Sequence, residues 1–146
     1  MPTSPLSLCM LIRYAVRLLH DDPSAELQHT VYEMLLKCLR HASDVSPLPL
    51  SHQQMVAFEA ARAIVRLPDI SENDVSPAVN TLQIQLGSSR TASRFAAVRL
   101  LHELSAILPE CVSSCNGDLE VLAGDSNRSI ATIAISTLLR TVDGDR

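Results

Sequence analysis

The sequence predicts an all-α chain, a right-handed superhelix of paired helices stacked as an α-solenoid. Three observations carry that expectation. An alanine-centred helical segment comes back four times along the chain. No stretch keeps the period of two that marks a half-buried strand. The core is aliphatic: apolar residues make up 47% of the 146, aromatics only 3%, and there is no Trp.

Taken in order, Ser7 is placed to cap a first helix in which Leu8, Leu11, Ile12, Ala15, Leu18 and Leu19 follow helical spacing. Asp21-Asp22-Pro23 ends it. A second helix is expected after Ser24, with Leu27, Val31, Leu35, Cys38 and Leu39 on one face. Ser43 to Ser51 holds Pro47 and Pro49 and reads as a loop over 43–51. A third helix covers about Gln53 to Leu67 and stops at Pro68. Ser76-Pro77 has the form of a cap followed by proline at the first helical position, and Gly87 is the matching stop. Val79, Leu82 and Leu86 share the face between them. Ala92 to Leu108 makes the fifth helix, closed by Pro109. From Glu110 to Ala123 the helical pattern is short and poorly formed, interrupted at Asn116-Gly117 and ended by Gly124.

The last helix is the most distinctive. Asp125, Ser126 and Asn127 can each accept from the orphan N–H groups of a first turn. Ile130, Ile133, Ala134, Thr137 and Leu138 then form one face, and Ile135 and Leu139 a second. A helix apolar on two sides is expected to be covered on both.

Overlaying the helices brings out the repeat. Tyr14–Leu19 aligns with Glu59–Ile64, Ala96–Leu101 and Ile133–Leu138, so that Ala15, Ala60, Ala97 and Ala134 fall in register at separations of 45, 37 and 37 residues. The longer first interval matches the proline-bearing loop. A period of about 40 residues holding two helices is the signature of HEAT or armadillo repeats. Small residues at the repeated position let neighbouring helices approach closely. The whole chain, 1–146, is therefore expected to be one solenoid segment. It starts and ends on second-of-pair helices, and the last lacks the polar outer face of a terminal repeat. The expectation is a piece of a longer solenoid or a truncated gene product, prone to aggregate alone.

Composition limits the chemistry. Charged residues are 19%, too few beside the apolar content for a disordered chain. The net charge of −4 argues against a general nucleic-acid binder. The start, Met-Pro-Thr-Ser-Pro, lacks the features of a secretory signal, and the longest apolar run, Leu8 to Ile12, is far too short to span a bilayer. Cys9, Cys38, Cys111 and Cys115 then read as small hydrophobes in a reducing, cytoplasmic setting. Cys111 and Cys115 have only His102 nearby and no second ligand pair, so no metal site is expected. Without a glycine-rich phosphate loop there is no cofactor site, and no polar constellation suggests an enzyme. Asn127-Arg128-Ser129 matches a glycosylation sequon but serves as a helix start.

Arg17, Arg62 and Arg99 each stand two residues after an anchoring alanine, and they are the candidate partner-binding residues. Local ion pairs, Arg62 with Glu59 and Arg99 with Glu103, account for them at a few tenths of a kcal/mol each. Stacked as a ladder, they would form a basic stripe for an acidic partner or a phosphorylated headgroup.

Cys9-Met-Leu-Ile-Arg13, Phe58-Glu-Ala-Ala61, Pro77-Ala-Val79, Arg94-Phe-Ala-Ala-Val-Arg99 and Asp125-Ser-Asn-Arg-Ser-Ile-Ala-Thr132 resemble the gamma subunit of coatomer, one of the adaptin-like helical trunks. The resemblance covers nearly the whole chain, in order. It implies a scaffold segment of the COPI coat, which carries protein between Golgi and ER, peripheral on Golgi membranes and coated vesicles. It implies as partners other coatomer subunits, zeta in particular, and GTP-bound Arf. The loop at 43–51 is longer than the turn expected there, and the chain would cover a middle part of the trunk. No binding residue is carried over. The alternative is a HEAT-type transport receptor or phosphatase scaffold.

Overall fold

A computed structural model of the chain describes residues 5–22, 24–43, 50–68 and 70–143. Among them run α1 (Pro5–Asp21), α2 (Ala25–Ser43), α3 (Leu50–Val65), α4 (Glu72–Leu86), α5 (Thr91–Ser105), α6 (Pro109–Val112), a 3-10 turn (Ser113–Cys115), α7 (Asn116–Leu122) and α8 (Arg128–Asp143). No strand occurs among the described residues, and none of their helices is long and apolar enough to cross a membrane. The chain divides into two compact units, Met1–Ala78 and Val79–Arg146, with the boundary inside α4.

In the first unit α3 is the central helix, packed against both α1 and α2. Its composition explains the position. Val56, Ala57, Ala60, Ala61, Ala63, Ile64 and Val65 are all buried, more than a single helical face supplies. Alanine at four of these places leaves room for helices on two sides. From α1 come Leu8, Ile12, Ala15 and Leu19, and from α2 Val31, Leu35, Cys38 and Leu39. Burial pushes the Cys9 and Cys38 thiols up from their ordinary value, as suits side chains that pack rather than react. Ser24 caps α2 as expected, its Oγ accepting the Leu27 N–H at 3.2 Å. Gln28 Nε2 donates to the Pro68 carbonyl and Tyr32 Oη to the Asp74 carbonyl, both at 2.8 Å, so α2 ties down the chain on either side of the α3–α4 connection.

In the second unit α8 packs against both α5 and α7, with α6 and the 3-10 turn in lesser contact. Ile130, Ala134, Thr137 and Thr141 of α8 are buried, as are Ala97, Val98, Leu101 and Leu104 of α5. The buried hydroxyls are satisfied: Thr141 Oγ1 donates to Asn116 Oδ1 at 2.9 Å and Thr137 Oγ1 to the Ile133 carbonyl at 2.8 Å. The second face of α8 remains open, with Ile135, Leu139 and Val142 exposed. Helix α8 has two packing partners, α5 and α7, as α3 has α1 and α2, but neither covers that edge.

Several boundaries differ from the sequence reading. Helix α1 begins at Pro5, so Ser7 sits within its first turn. Helix α4 begins at Glu72, and Pro77 lies inside it. The cap there is Ser71, whose Oγ accepts the Asp74 N–H at 3.3 Å and whose carbonyl takes the Val75 N–H at 3.1 Å. Fully buried Val75 extends the stripe of Ala78, Val79 and Leu82 by one turn. That packing holds the turn before Pro77 despite the proline's missing N–H. Gly87 does end the helix, donating to the Ile84 carbonyl at 3.2 Å. Helix α5 stops at Ser105, and Pro109 opens α6 at its first position, where no donor is needed. Asn116-Gly117 begins α7, the break falling in the 3-10 turn before it. Helices α2 and α3 extend into the ends of the expected 43–51 loop, whose centre, 44–49, lies outside the described residues.

At the start of α8, Asn127 Oδ1 accepts the N–H groups of Ser129 at 3.0 Å and Ile130 at 3.2 Å. Asn127→Ala strands both donors and is expected to cost about 1 kcal/mol. A urea midpoint unchanged from wild type would show the cap to be dispensable.

Candidate functional site

The first unit carries a cleft between α1 and α3. Glu59, Arg62, Ala63 and Arg66 recur at i, i+3, i+4 and i+7, so they project from one side of α3 and the turn after it. Helix α1 supplies Ile12, Arg13 and Val16 opposite, enclosing about 450 Å³. Glu59 joins the walls: its Oε1 accepts from Arg13 Nη2 at 3.0 Å and lies 3.9 Å from Arg62 Nη1. The hydrogen bond to Glu59 raises the Arg13 pKa further above its ordinary value. Val16 and Arg66 also line a second, smaller cleft of about 250 Å³, completed by Leu19, His20, Leu67 and Pro68.

The second unit holds a polar clamp between the start of α5 and the start of α8. Arg94 Nε donates to Asp125 Oδ2 at 3.0 Å, and the same guanidinium reaches the carbonyls of Ser88 at 3.1 Å and Ser89 at 3.2 Å. Asp125 Oδ1 meanwhile accepts the Asn127 N–H at 2.8 Å. That backbone bond and then Arg94 pull the Asp125 pKa below its ordinary value. The carboxylate thus orders the cap of α8 and ties it to α5.

His102 bridges the same two helices further along. Thr137 gives its one proton to the Ile133 carbonyl, so its Oγ1 accepts from His102 Nδ1, 3.1 Å away. Burial and then the nearby Arg140 lower the His102 pKa. The ring ties α5 to α8. Cys115 is fully buried, its thiol pushed up by desolvation. Among the described residues no group of three His, Cys, Asp or Glu is placed to hold a metal ion.

Of the three arginines singled out by register, Arg62 lines the larger cleft and takes the expected pairing with Glu59. Arg17 is exposed on α1 and Arg99 on α5. The four repeated alanines are all buried, Ala15 and Ala60 on the packed pair α1 and α3, Ala97 and Ala134 on the packed pair α5 and α8. Sequence reasoning passed over Arg13 and Arg66. Each stands one turn from a singled-out arginine, Arg13 before Arg17 and Arg66 after Arg62, but only the packing of α1 on α3 brings Arg13 to Glu59.

Comparison with known proteins agrees with this architecture. The chain is 42% identical over 140 residues to coatomer subunit gamma of Arabidopsis thaliana, and 43% identical over 141 to that of Drosophila melanogaster. It is 43% identical over 138 residues to coatomer subunit gamma-2 of Takifugu rubripes. Each alignment takes in 94% of this chain but only 14% to 15% of the relative, so the chain spans about a seventh of their length. No solved structure matches it. The adaptin N terminal region matches residues 2–145, which is to say that this paired-helix chain belongs to the adaptin N-terminal family.

Proposed function

We propose that the chain is a scaffold segment of the COPI vesicle coat, acting in protein transport between Golgi and ER. The identity of 42–43% to coatomer gamma subunits of a plant, an insect and a fish, sustained over 94% of the chain, supports that reading. Its mechanism is geometric. Packed helix pairs present stiff, extended surfaces on which partners are held, and no bond is made or broken. The partners in this reading are other coatomer subunits, zeta among them, and GTP-bound Arf. The coat, rather than any membrane span, brings the chain to Golgi membranes.

Affinity capture of the tagged chain from a cell extract tests this. Other coatomer subunits are expected to co-purify, and binding to liposomes is expected to depend on GTP-loaded Arf rather than on lipid charge. Recovery of nuclear-import cargo without coat subunits would instead make the chain a transport receptor.

A further inference from the structure

We propose that Asn116, followed by Gly117, is a latent site of spontaneous deamidation, shut by the fold at the start of α7 and opened when α7 lifts from α8. The inference concerns the second unit alone and does not depend on the coat reading.

The chemistry needs only the chain and water. The Gly117 amide nitrogen, once deprotonated, attacks Asn116 Cγ. A new C–N bond forms, the Cγ–Nδ2 bond breaks, and ammonia leaves behind a cyclic succinimide. Water then opens the ring at one of its carbonyls. Cleavage at Cγ gives aspartate, and cleavage at the Asn116 main-chain carbonyl gives isoaspartate. Water is taken up, ammonia is released, and nothing is oxidised or reduced. A glycine after the asparagine speeds ring closure, because any larger residue there crowds the attack. Asn73, Asn80 and Asn127 precede Asp, Thr and Arg instead. Gly117 is exposed, so solvent reaches its amide.

The structure closes this site in two ways. Asn116 has helical torsions, φ −57° and ψ −38°, and its N–H donates to the Ser113 carbonyl. Ring closure requires the Gly117 nitrogen to eclipse Cβ about the Cα–C bond, and a helical ψ holds the two apart. The side chain is fixed as well. Asn116 Oδ1 accepts from Thr141 Oγ1 at 2.9 Å, and Thr141 is only 1% exposed on α8. One motion releases both restraints, the parting of α7 from α8. Helix α7 is seven residues long and buries Leu119 and Leu122, the kind of short element that opens well below the cost of global unfolding. Reaction makes the opening lasting. Isoaspartate adds a carbon to the main chain in the first turn of α7, which spoils the helical hydrogen-bond register. Either product sets a carboxylate beside the buried Thr141. A transient opening is thereby recorded as a covalent mark that weakens one of the two helices packed against α8.

Peptide mapping by mass spectrometry of the full chain, incubated in mildly alkaline buffer, follows the conversion of Asn116. In guanidinium chloride it is expected to run more than about tenfold faster than in the folded chain. Thr141→Val, kept folded, should convert roughly fivefold faster than wild type, the factor for one lost hydrogen bond. Gly117→Ala should convert more slowly even in denaturant, and it should fold, since a Cβ at Gly117 meets nothing within 4 Å. Leu35→Ala, in the core of the first unit, should leave the rate unchanged. Circular dichroism establishes which variants are folded, and the wild-type comparison with and without denaturant decides the matter even if Thr141→Val is not. Equal rates in the folded and unfolded chain would overturn the proposal, as would no slowing by Gly117→Ala. A folded Thr141→Val converting at the wild-type rate, or Leu35→Ala accelerating as much, would show that Thr141 does not hold the site shut.

Discussion

Replacing Ala134 with Leu is expected to lower stability by about 2–3 kcal/mol, seen as a lower midpoint in thermal or urea unfolding. Ala134 is completely buried on α8, which packs against α5 and α7, and Ala97, Val98 and Leu101 of α5 are equally buried. The added carbons have no void to enter, so side chains must leave their rotamers or the helices must separate. Ile135→Ser, one residue further on, supplies the contrast. Ile135 is 47% exposed on the open face, and the change should stay within about 0.5 kcal/mol while making the chain more soluble. Equal losses at the two positions would mean that the repeated alanine is not where the helices meet.

Arg94→Leu should lower the melting temperature by roughly 5–10 °C. It removes the donors to Asp125, Ser88 and Ser89 together and leaves a carboxylate, only 9% exposed, without its cation. The clamp also predicts an acid dependence. The Asp125 pKa lies below its ordinary value of 3.8 in the folded chain, so the unfolded chain binds the proton more readily. The stabilisation is complete above the unfolded carboxyl pKa of about 4 and is lost as pH falls through the lower folded value. Asp125→Asn should therefore be less stable than wild type at neutral pH, and the gap should narrow on acidification into that range. Paired urea melts at both pH values check this. A gap that stays constant would show that Asp125 contributes by shape and not by charge.

Much of the local architecture was legible because it depends on neighbours in sequence. Ser24 and Asn127 cap the helices they precede, and Gly87 ends the one it follows. The four alanines in register are all buried. The start of α4 was misread for a physical reason. Ser76-Pro77 is a strong local signal for a first turn, but it was outweighed by Ser71 acting as cap and by burial of Val75, which no local pattern reveals. The same limit applied at the cleft. Register singled out Arg62, whereas Arg13 gains its meaning from Glu59, 46 residues away on another helix.

By itself, the sequence determined the all-helical class, the alanine register and the caps at Ser24 and Asn127, because periodicity and capping act over three or four residues of chain. Only the tertiary structure decided that α3 lies against α1 and α2 and α8 against α5 and α7, with Ile135 and Leu139 left open. It alone decided that Arg94 closes on Asp125, and that Arg13 and Arg62 share one carboxylate. Those outcomes follow from which helix lies against which, and that is set by the packing of side chains far apart in the chain.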